Sequence, residues 1–252
     1  MASTDEGRRL TEAHKFAQIG VGARAEIDAR MLWGRLDIDD LDGSTPYWLA
    51  ETVVAVNRRT VESQKTAATY LREFRTAELG SPGVATLAFP VGTAAALKFA
   101  GPVRIKRLIL AGMKSADAYG SALTKFAGMA RRQAMMGGRL TVAATAGRDR
   151  KAVGWRRVTD GNPCAFCAML ASRGPVYRDA AAADGLMYHA HCGCSAEPAY
   201  SHAWEPTPDE ERFFDAYGKA RAEVAPDGKA INTKELLSVM RRNGGFRDSP
   251  IK

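Results

Sequence analysis

All four cysteines of this 252-residue chain fall between positions 164 and 194, and three of its four histidines fall between 189 and 202. They form two short groups, Cys164-Ala-Phe-Cys167 and His189-Ala-His191-Cys192-Gly-Cys194. Two thiols three positions apart on a tight turn can point at one tetrahedral ion. A second pair, returned by a loop of roughly 25 residues, closes the shell in the manner of structural zinc. Thiolate and imidazole suit zinc better than calcium or magnesium, which prefer oxygen. Cys164, Cys167 and Cys192 are the core of the set. The fourth ligand is His189, His191 or Cys194, and spacing does not choose among them. A closed four-ligand shell leaves no open position for water, so the role this pattern points to is folding. Disulfides, which a reducing cytoplasm disfavours, and a catalytic cysteine are the competing readings.

Around this constraint the composition is that of an ordinary globular chain, 46% hydrophobic and 25% charged. A chain of this length buries roughly 70–75% of its unfolded surface and needs no staples to form a core. No apolar stretch approaches the ~20 residues of a membrane span. The polar opening MASTDEGRRL carries no secretory pattern, so the expectation is a soluble intracellular protein with no membrane partner. The net charge of +8 is unevenly spread: residues 1–80 carry −2, residues 81–160 carry +11 and residues 161–252 carry −1. A field concentrated in this way points to an acidic partner, protein or nucleic acid, unless it is only a solvated helical face. Arg131, Arg132, Arg148, Arg150 and Lys151 are the candidate contacts within the basic segment 98–157.

The expected fold class is mainly α: a helical N-terminal domain (1–150), a small α+β zinc-stabilised domain (151–204) and a helical tail (205–252) with a mobile end. In the first 80 residues Phe16, Ile19, Ile27 and Leu32 or Trp33 recur at loosely helical intervals. Ser44 or Thr45 caps a second helix with Pro46 at its first helical position, and Val54, Val61, Tyr70 and Phe74 are its buried positions. Gly80-Ser81-Pro82-Gly83 ends it, giving a long helical hairpin joined by the acidic stretch Asp37 to Gly43. Residues 84–113, broken by Pro90 and Pro102, read as short helices or irregular chain. Tyr119, Leu123, Phe126 and Ala130 mark a helix that should stop near Gly137-Gly138. AVGWRRVTD reads as a strand and CAFCAMLAS as a short helix, followed by a Gly/Pro/Ala-rich loop. Thr207-Pro-Asp-Glu210 is a capping box, and a last helix runs from Asn232-Thr233 to Asn243-Gly244-Gly245.

The run VTDGNPCAFCAMLASRGPVY followed by HAHCGC resembles the C-terminal signature of the phage Mu F-like minor head proteins. There an Asp precedes Cys-x-x-Cys, and a Gly-containing loop leads to His-Pro-x-Cys-Arg-Cys. Asp160, Cys164, Cys167, Gly174, His189, Cys192 and Cys194 match, while Ala190 and Gly193 stand where that family tends to have Pro and Arg. The close match covers about residues 153–198. The resemblance implies a minor component of a tailed-phage head, made in the bacterial cytoplasm and carried in the virion. Such a protein sits near the portal and assists head assembly or DNA delivery, with portal protein, scaffold or major capsid protein and packaged DNA as partners.

Two other functions compete. A capsid maturation protease would use Cys164 or Cys167 with His189 or His191, although no G-x-S-x-G or H-E-x-x-H element accompanies them. A non-specific DNA-binding module would use the basic residues on phosphates alone. No residue is singled out as catalytic. His14 reads as a solvated or hydrogen-bonded histidine and His202 as a loop residue. Phe126, Met135 and Met136 read as core, and Trp155 as a packing anchor. Arg156 and Arg157 read as solvated or facing an acidic partner, and the RFFDAY segment reads as a helix packed on its own domain.

Overall fold

Two helices of unusual length set the architecture. The structure, a computed structural model, describes residues 2–178, 188–201, 203, 206–228 and 231–247. Helix α1 spans Asp5–Trp33 and α2 spans Leu41–Leu79. They form the expected hairpin, and Gly80 ends α2 in the left-handed conformation at φ 72°. The α2 start differs from the sequence expectation. Asp40 is the cap, its carboxylate accepting from the Gly43 amide, so Pro46 lies within the helix rather than at its first position. Ser44 instead spans the turn, its hydroxyl donating to the Asp40 carbonyl at 2.7 Å.

The buried face of α1 is Thr11, His14, Gln18, Val21, Gly22, Ala25, Ala29 and Trp33. Steps of three and four residues place these on one side. This seam is small and polar, and the larger apolar residues expected inward point outward. Phe16 and Ile27 are exposed on α1, and Val54 and Val61 on α2, whereas Tyr70 and Phe74 are buried as expected. The reason is the third helix. Helix α5, Ser115–Arg148, packs along both others and needs small residues at the line of approach. Gly137 and Gly138, expected to end this helix, lie buried inside it. A Cβ on Gly137 would stand 2.4 Å from the Thr60 carbonyl oxygen, and one on Gly138 would stand 2.4 Å from the Gln18 amide nitrogen. Glycine serves here as a contact surface between backbones, a use that outweighs its helix-breaking cost of roughly 1 kcal/mol. Phe126, Met135 and Met136 are buried as expected, and Trp33, Trp48, Tyr119 and Phe126 form an aromatic plug at the loop end.

Residues 81–92 return between α2 and α5 as chain without regular secondary structure, bonded to side chains of both helices. Three short helical pieces follow: α3 (Thr93–Lys98), a π-helical turn (Phe99–Val103) and α4 (Arg104–Leu110).

Strand β1 (Gly154–Val158) arises where expected. It pairs antiparallel with β2 (Ser195–Ala199), a strand not foreseen, in the register Gly154 to Ala199 and Val158 to Ser195. Both strands are buried along their whole length, so neither shows the period-two alternation that marks a half-exposed strand. Helix α6 (Ala165–Ala171) lies between them in sequence. Trp155 stacks on Tyr177 at 4.7 Å and is the expected anchor. The buried cluster is continuous from Tyr70 and Phe74 in the bundle to Trp155 and the cysteines.

Helices α7 (Pro208–Val224) and α8 (Thr233–Gly244) form a hairpin against α6, with the Thr207–Glu210 capping box and the Asn232 cap both in place. Phe213 of RFFDAY is buried against Phe246. The start of the C-terminal stretch is therefore packed rather than loose, and Arg247 pairs with Asp160 at 2.8 Å. Its last residues, 248–252, and His202 lie outside the described residues.

Candidate metal centre

Cys164 caps α6 and Cys167 follows one turn later, so their side chains share a face. The turn before β2 brings the other group to meet them. Cys164 Sγ lies 3.1 Å and Cys167 Sγ 3.4 Å from His189 Nε2, and Cys167 Sγ lies 3.7 Å from Cys192 Sγ. The donor atoms fall into two overlapping trios, Cys164–Cys167–His189 and Cys167–Cys192–Cys194, each within 4.8 Å. Cys167 belongs to both. Five of the six sequence candidates are thus brought together.

The sixth, His191, is not. Its backbone takes φ 61°, which turns the side chain away from the cluster and toward the helical bundle. There Nδ1 meets Glu26 at 3.0 Å and Nε2 meets the Thr124 carbonyl at 2.9 Å. The ring seats in a notch where Gly128 has no side chain; a Cβ there would stand 2.3 Å from the ring. His191 is a latch between the two regions, and its neighbours Glu26, Thr124 and Gly128 carry no sequence signal that could have paired them with it.

All four cysteines are 1% exposed and unbridged. A 3.7 Å sulfur separation is far beyond the roughly 2.05 Å of a disulfide. It is close to the ~3.8 Å edge of a tetrahedron with ~2.3 Å metal–sulfur bonds. His189 is also turned for coordination. Its Nδ1 donates to the Ala190 carbonyl at 2.6 Å, which leaves the Nε2 lone pair facing the thiols.

The electrostatics of the cluster favour a cation. The hydrogen bond from Cys167 holds the Cys164 thiol down to about 4; burial opposes this and His189 assists. Cys192 is likewise pulled well down by the Cys167 and Cys194 thiols, against burial and with help from Arg139 and Arg157. Cys167 is pushed up by the three thiols around it and by burial. Cys194 also goes up, because Cys192 and burial outweigh the pull of Cys167. Four crowded thiols cannot all ionise without added positive charge, which a metal ion would supply. These Cys and His groups can therefore hold a metal ion.

Sequence reasoning missed the cationic support around the cluster. Arg139 donates to the carbonyls of Cys194 (2.9 Å) and Cys192 (2.8 Å). Arg157 reaches Cys167 Sγ at 3.8 Å and Cys192 Sγ at 3.9 Å. The two guanidiniums each lie 4.0 Å from the centre of the Tyr188 ring. Arg156, expected at the surface like Arg157, is buried too. It is held by Glu197 at 2.8 Å and by Glu210, and Glu197 also accepts from the Ala2 amide and the Thr11 hydroxyl. Gly193 keeps Asp160 close, since a Cβ would stand 2.5 Å from its carboxylate, and Arg247 supplies that carboxylate with a guanidinium. His14 is neither solvated nor a ligand: it is buried, stacked on Tyr70 at 4.2 Å, and burial holds its pKa down to about 3.

The basic candidates divide. Arg131 is half-buried near Glu26, and Arg132 donates to the Tyr188 carbonyl. Arg148, Arg150 and Lys151 are exposed, roughly 24 Å farther along at 1.5 Å per helical residue. With Arg75, Asp149 and Tyr200 they line a groove of about 460 Å³. Among the described residues no helix is long and apolar enough to cross a membrane.

Searches of the curated proteins and of the solved structures found no match. The model of the VG15 protein family matches residues 1–220, which takes in the bundle, the metal-donor cluster and most of α7. The chain belongs to the VG15 protein family, a family of phage proteins.

Proposed function

We propose that the chain is a structural minor component of a phage head, of the Mu F-like kind, whose small α+β region is folded around one zinc ion. The observation that carries this reading is the meeting of Cys164, Cys167 and His189 in one donor trio, with Cys192 3.7 Å from the Cys167 thiol that both trios share, separations of the order a tetrahedral ion uses. Cys194 lies beside them as a fifth donor. Thiolate with imidazole is zinc chemistry rather than that of an oxygen-preferring cation. Zinc in a closed shell would fix α6 to the turn before β2 and supply the positive charge the thiols lack. Arg139, Arg157 and the His189 Nδ1 bond orient the donors.

Virion location, with portal protein, scaffold or major capsid protein as neighbours, is supported by the phage family and by the Asp160 to Cys194 signature. Quantitative mass spectrometry of purified particles tests it. The expected result is the intact chain at a few copies per particle, and its absence from mature and precursor particles contradicts the reading.

One observation favours the protease alternative: Cys164 and His189 lie 3.1 Å apart with the thiol held low, the arrangement of a nucleophile and its base. Against it, Cys164 is 1% exposed and shares its histidine with Cys167. Cys164→Ser separates the two readings. Retained fold with abolished cleavage of scaffold or capsid protein supports the enzyme, whereas lost metal and lost folding support the structural site. DNA contact by Arg148, Arg150 and Lys151 would appear as steeply salt-dependent duplex binding.

A further inference from the structure

The chain between α2 and α3 has two unlike edges. On the inner edge the Thr86 amide donates to the Thr145 hydroxyl at 2.9 Å and the Ala88 amide to the Thr141 hydroxyl at 3.3 Å. Gln64 donates to the Ala88 carbonyl at 2.6 Å, and Arg75 holds the start of the segment through Ser81 at 2.8 Å. Four side chains from two helices thus hold the segment, and because the amides of Thr86 and Ala88 both face α5, the alternate amides face the other way, as in a strand with no sheet of its own. On the outer edge the amides of Leu87 and Phe89 have no partner among the described residues. Val84, Leu87, Phe89 and Val91 stand in solvent, with Val84 92% and Val91 83% exposed.

No charged residue occurs from Val84 to Val91. An exposed apolar strand edge is a liability that proteins usually blunt with lysine, proline or a covering element, and here only Pro90, one residue past Phe89, does so. Immediately beside it lies the groove of Arg148, Arg150 and Lys151, which itself includes Pro82, Gly83 and Val84. Arg75 is neutralised there by Asp149 at 2.7 Å, while the other three cations meet no carboxylate among the described residues. Strand edge and cations form one continuous surface.

The geometry points to Val84–Val91 as a docking edge for an extended segment of another protein that is apolar along its length and acidic at the end nearest Val84. The segment would add a strand to the free edge, its main chain bonding to Leu87 and Phe89. Its acidic end would meet Arg148, Arg150 and Lys151. DNA fits less well, because phosphate binding needs cations and gains nothing from four exposed apolar side chains. The inference deepens the acidic-partner side of the reading above and does not involve the metal, so its failure leaves the particle measurement and the metal measurement standing.

The probe is a labelled synthetic peptide of eight alternating valines and threonines with three aspartates at one end, made in both chain directions. Binding to the full chain is read by fluorescence anisotropy, and backbone protection by hydrogen exchange. The expected result is saturable binding in one direction, with slowed exchange at Leu87 and Phe89. Affinity should weaken about tenfold in Arg148→Glu/Lys151→Glu and again in Leu87→Ser/Phe89→Ser, each tenfold step being about 1.4 kcal/mol. Unchanged thermal melts of both variants keep the comparison one of binding, as these side chains are exposed. The inference is overturned by absent binding, by equal binding of a peptide with lysines for aspartates, or by protection elsewhere. It is also overturned if duplex DNA binds more tightly and is indifferent to Leu87→Ser/Phe89→Ser.

Discussion

The helical bundle and the small α+β region solve the same problem with opposite chemistry. The bundle brings three helices together on glycine, alanine, threonine and serine, so that backbones approach and few large side chains are needed. The α+β region and the helices packed on it bury what cores usually exclude: Arg156, Arg157, Glu197 and four thiols with an imidazole, joined by Arg139 of α5 and Glu210 of α7. Shape complementarity is enough for the first. The second needs every buried charge answered: Arg139, Arg157 and His189 answer part of the thiol cluster, and a metal ion would answer the rest. A two-stranded sheet and a seven-residue helix bury little apolar surface of their own, so this core leans on the bundle, on α7 and α8, and on whatever its thiols hold.

The largest effect should come from Cys167→Ser, which removes the donor common to both trios. Folding of the small region should be lost with the metal. Up to about 10 kcal/mol of metal-coupled stability is at stake, seen as loss of bound metal and early proteolysis between 154 and 199. Next comes Arg156→Met. It strands two buried carboxylates, Glu197 and Glu210, and should cost about 3–5 kcal/mol in urea unfolding at neutral pH. A cost below 1 kcal/mol would show that this core tolerates apolar replacement and would erase much of the contrast.

On the bundle side, Gly137→Val should cost about 2–3 kcal/mol by thermal unfolding, because its side chain meets the Thr60 backbone. Gly120→Ala, on the open face of the same helix with nothing within 4 Å, should instead stabilise by about 0.5–1 kcal/mol.

A last effect is one of pH. His14 has a folded pKa of about 3 against an ordinary 6.5, so between those values the unfolded chain holds a proton that the folded chain does not. Stability should fall as pH drops below 6.5, by about 1.4 kcal/mol per unit and about 2 kcal/mol by pH 5. His14→Phe should flatten that slope, and an unchanged slope would assign the acid sensitivity to other groups.

Much of this was legible in the residues. Local signals carried their own geometry: the Thr207 capping box, the Asn232 cap, the Gly80 stop and the Cys-x-x-Cys turn all appear as read. Errors came where a residue's role depended on a distant neighbour. Gly137 and Gly138 read as a helix end because nothing nearby announces Thr60, Ser63 or Gln18. Phe16, Ile27, Val54 and Val61 read as core because hydrophobicity says nothing about how closely helices must approach. Arg156 and Arg157 read as surface because burial of a cation is set by partners 35 to 54 positions away. Spacing alone pointed to the Cys and His groups that lie close enough together to hold a metal ion. The exclusion of His191 rests on a left-handed backbone that spacing cannot express.

Elemental analysis of the native chain, paired with unfolding followed during chelation, tests the central claim most directly. The account predicts about one zinc per chain. Its removal should unfold the region from β1 to β2 and expose four reactive thiols, while α1, α2 and α5 keep their helicity. Native material free of metal, with that region folded and its thiols still protected from alkylation, would contradict it.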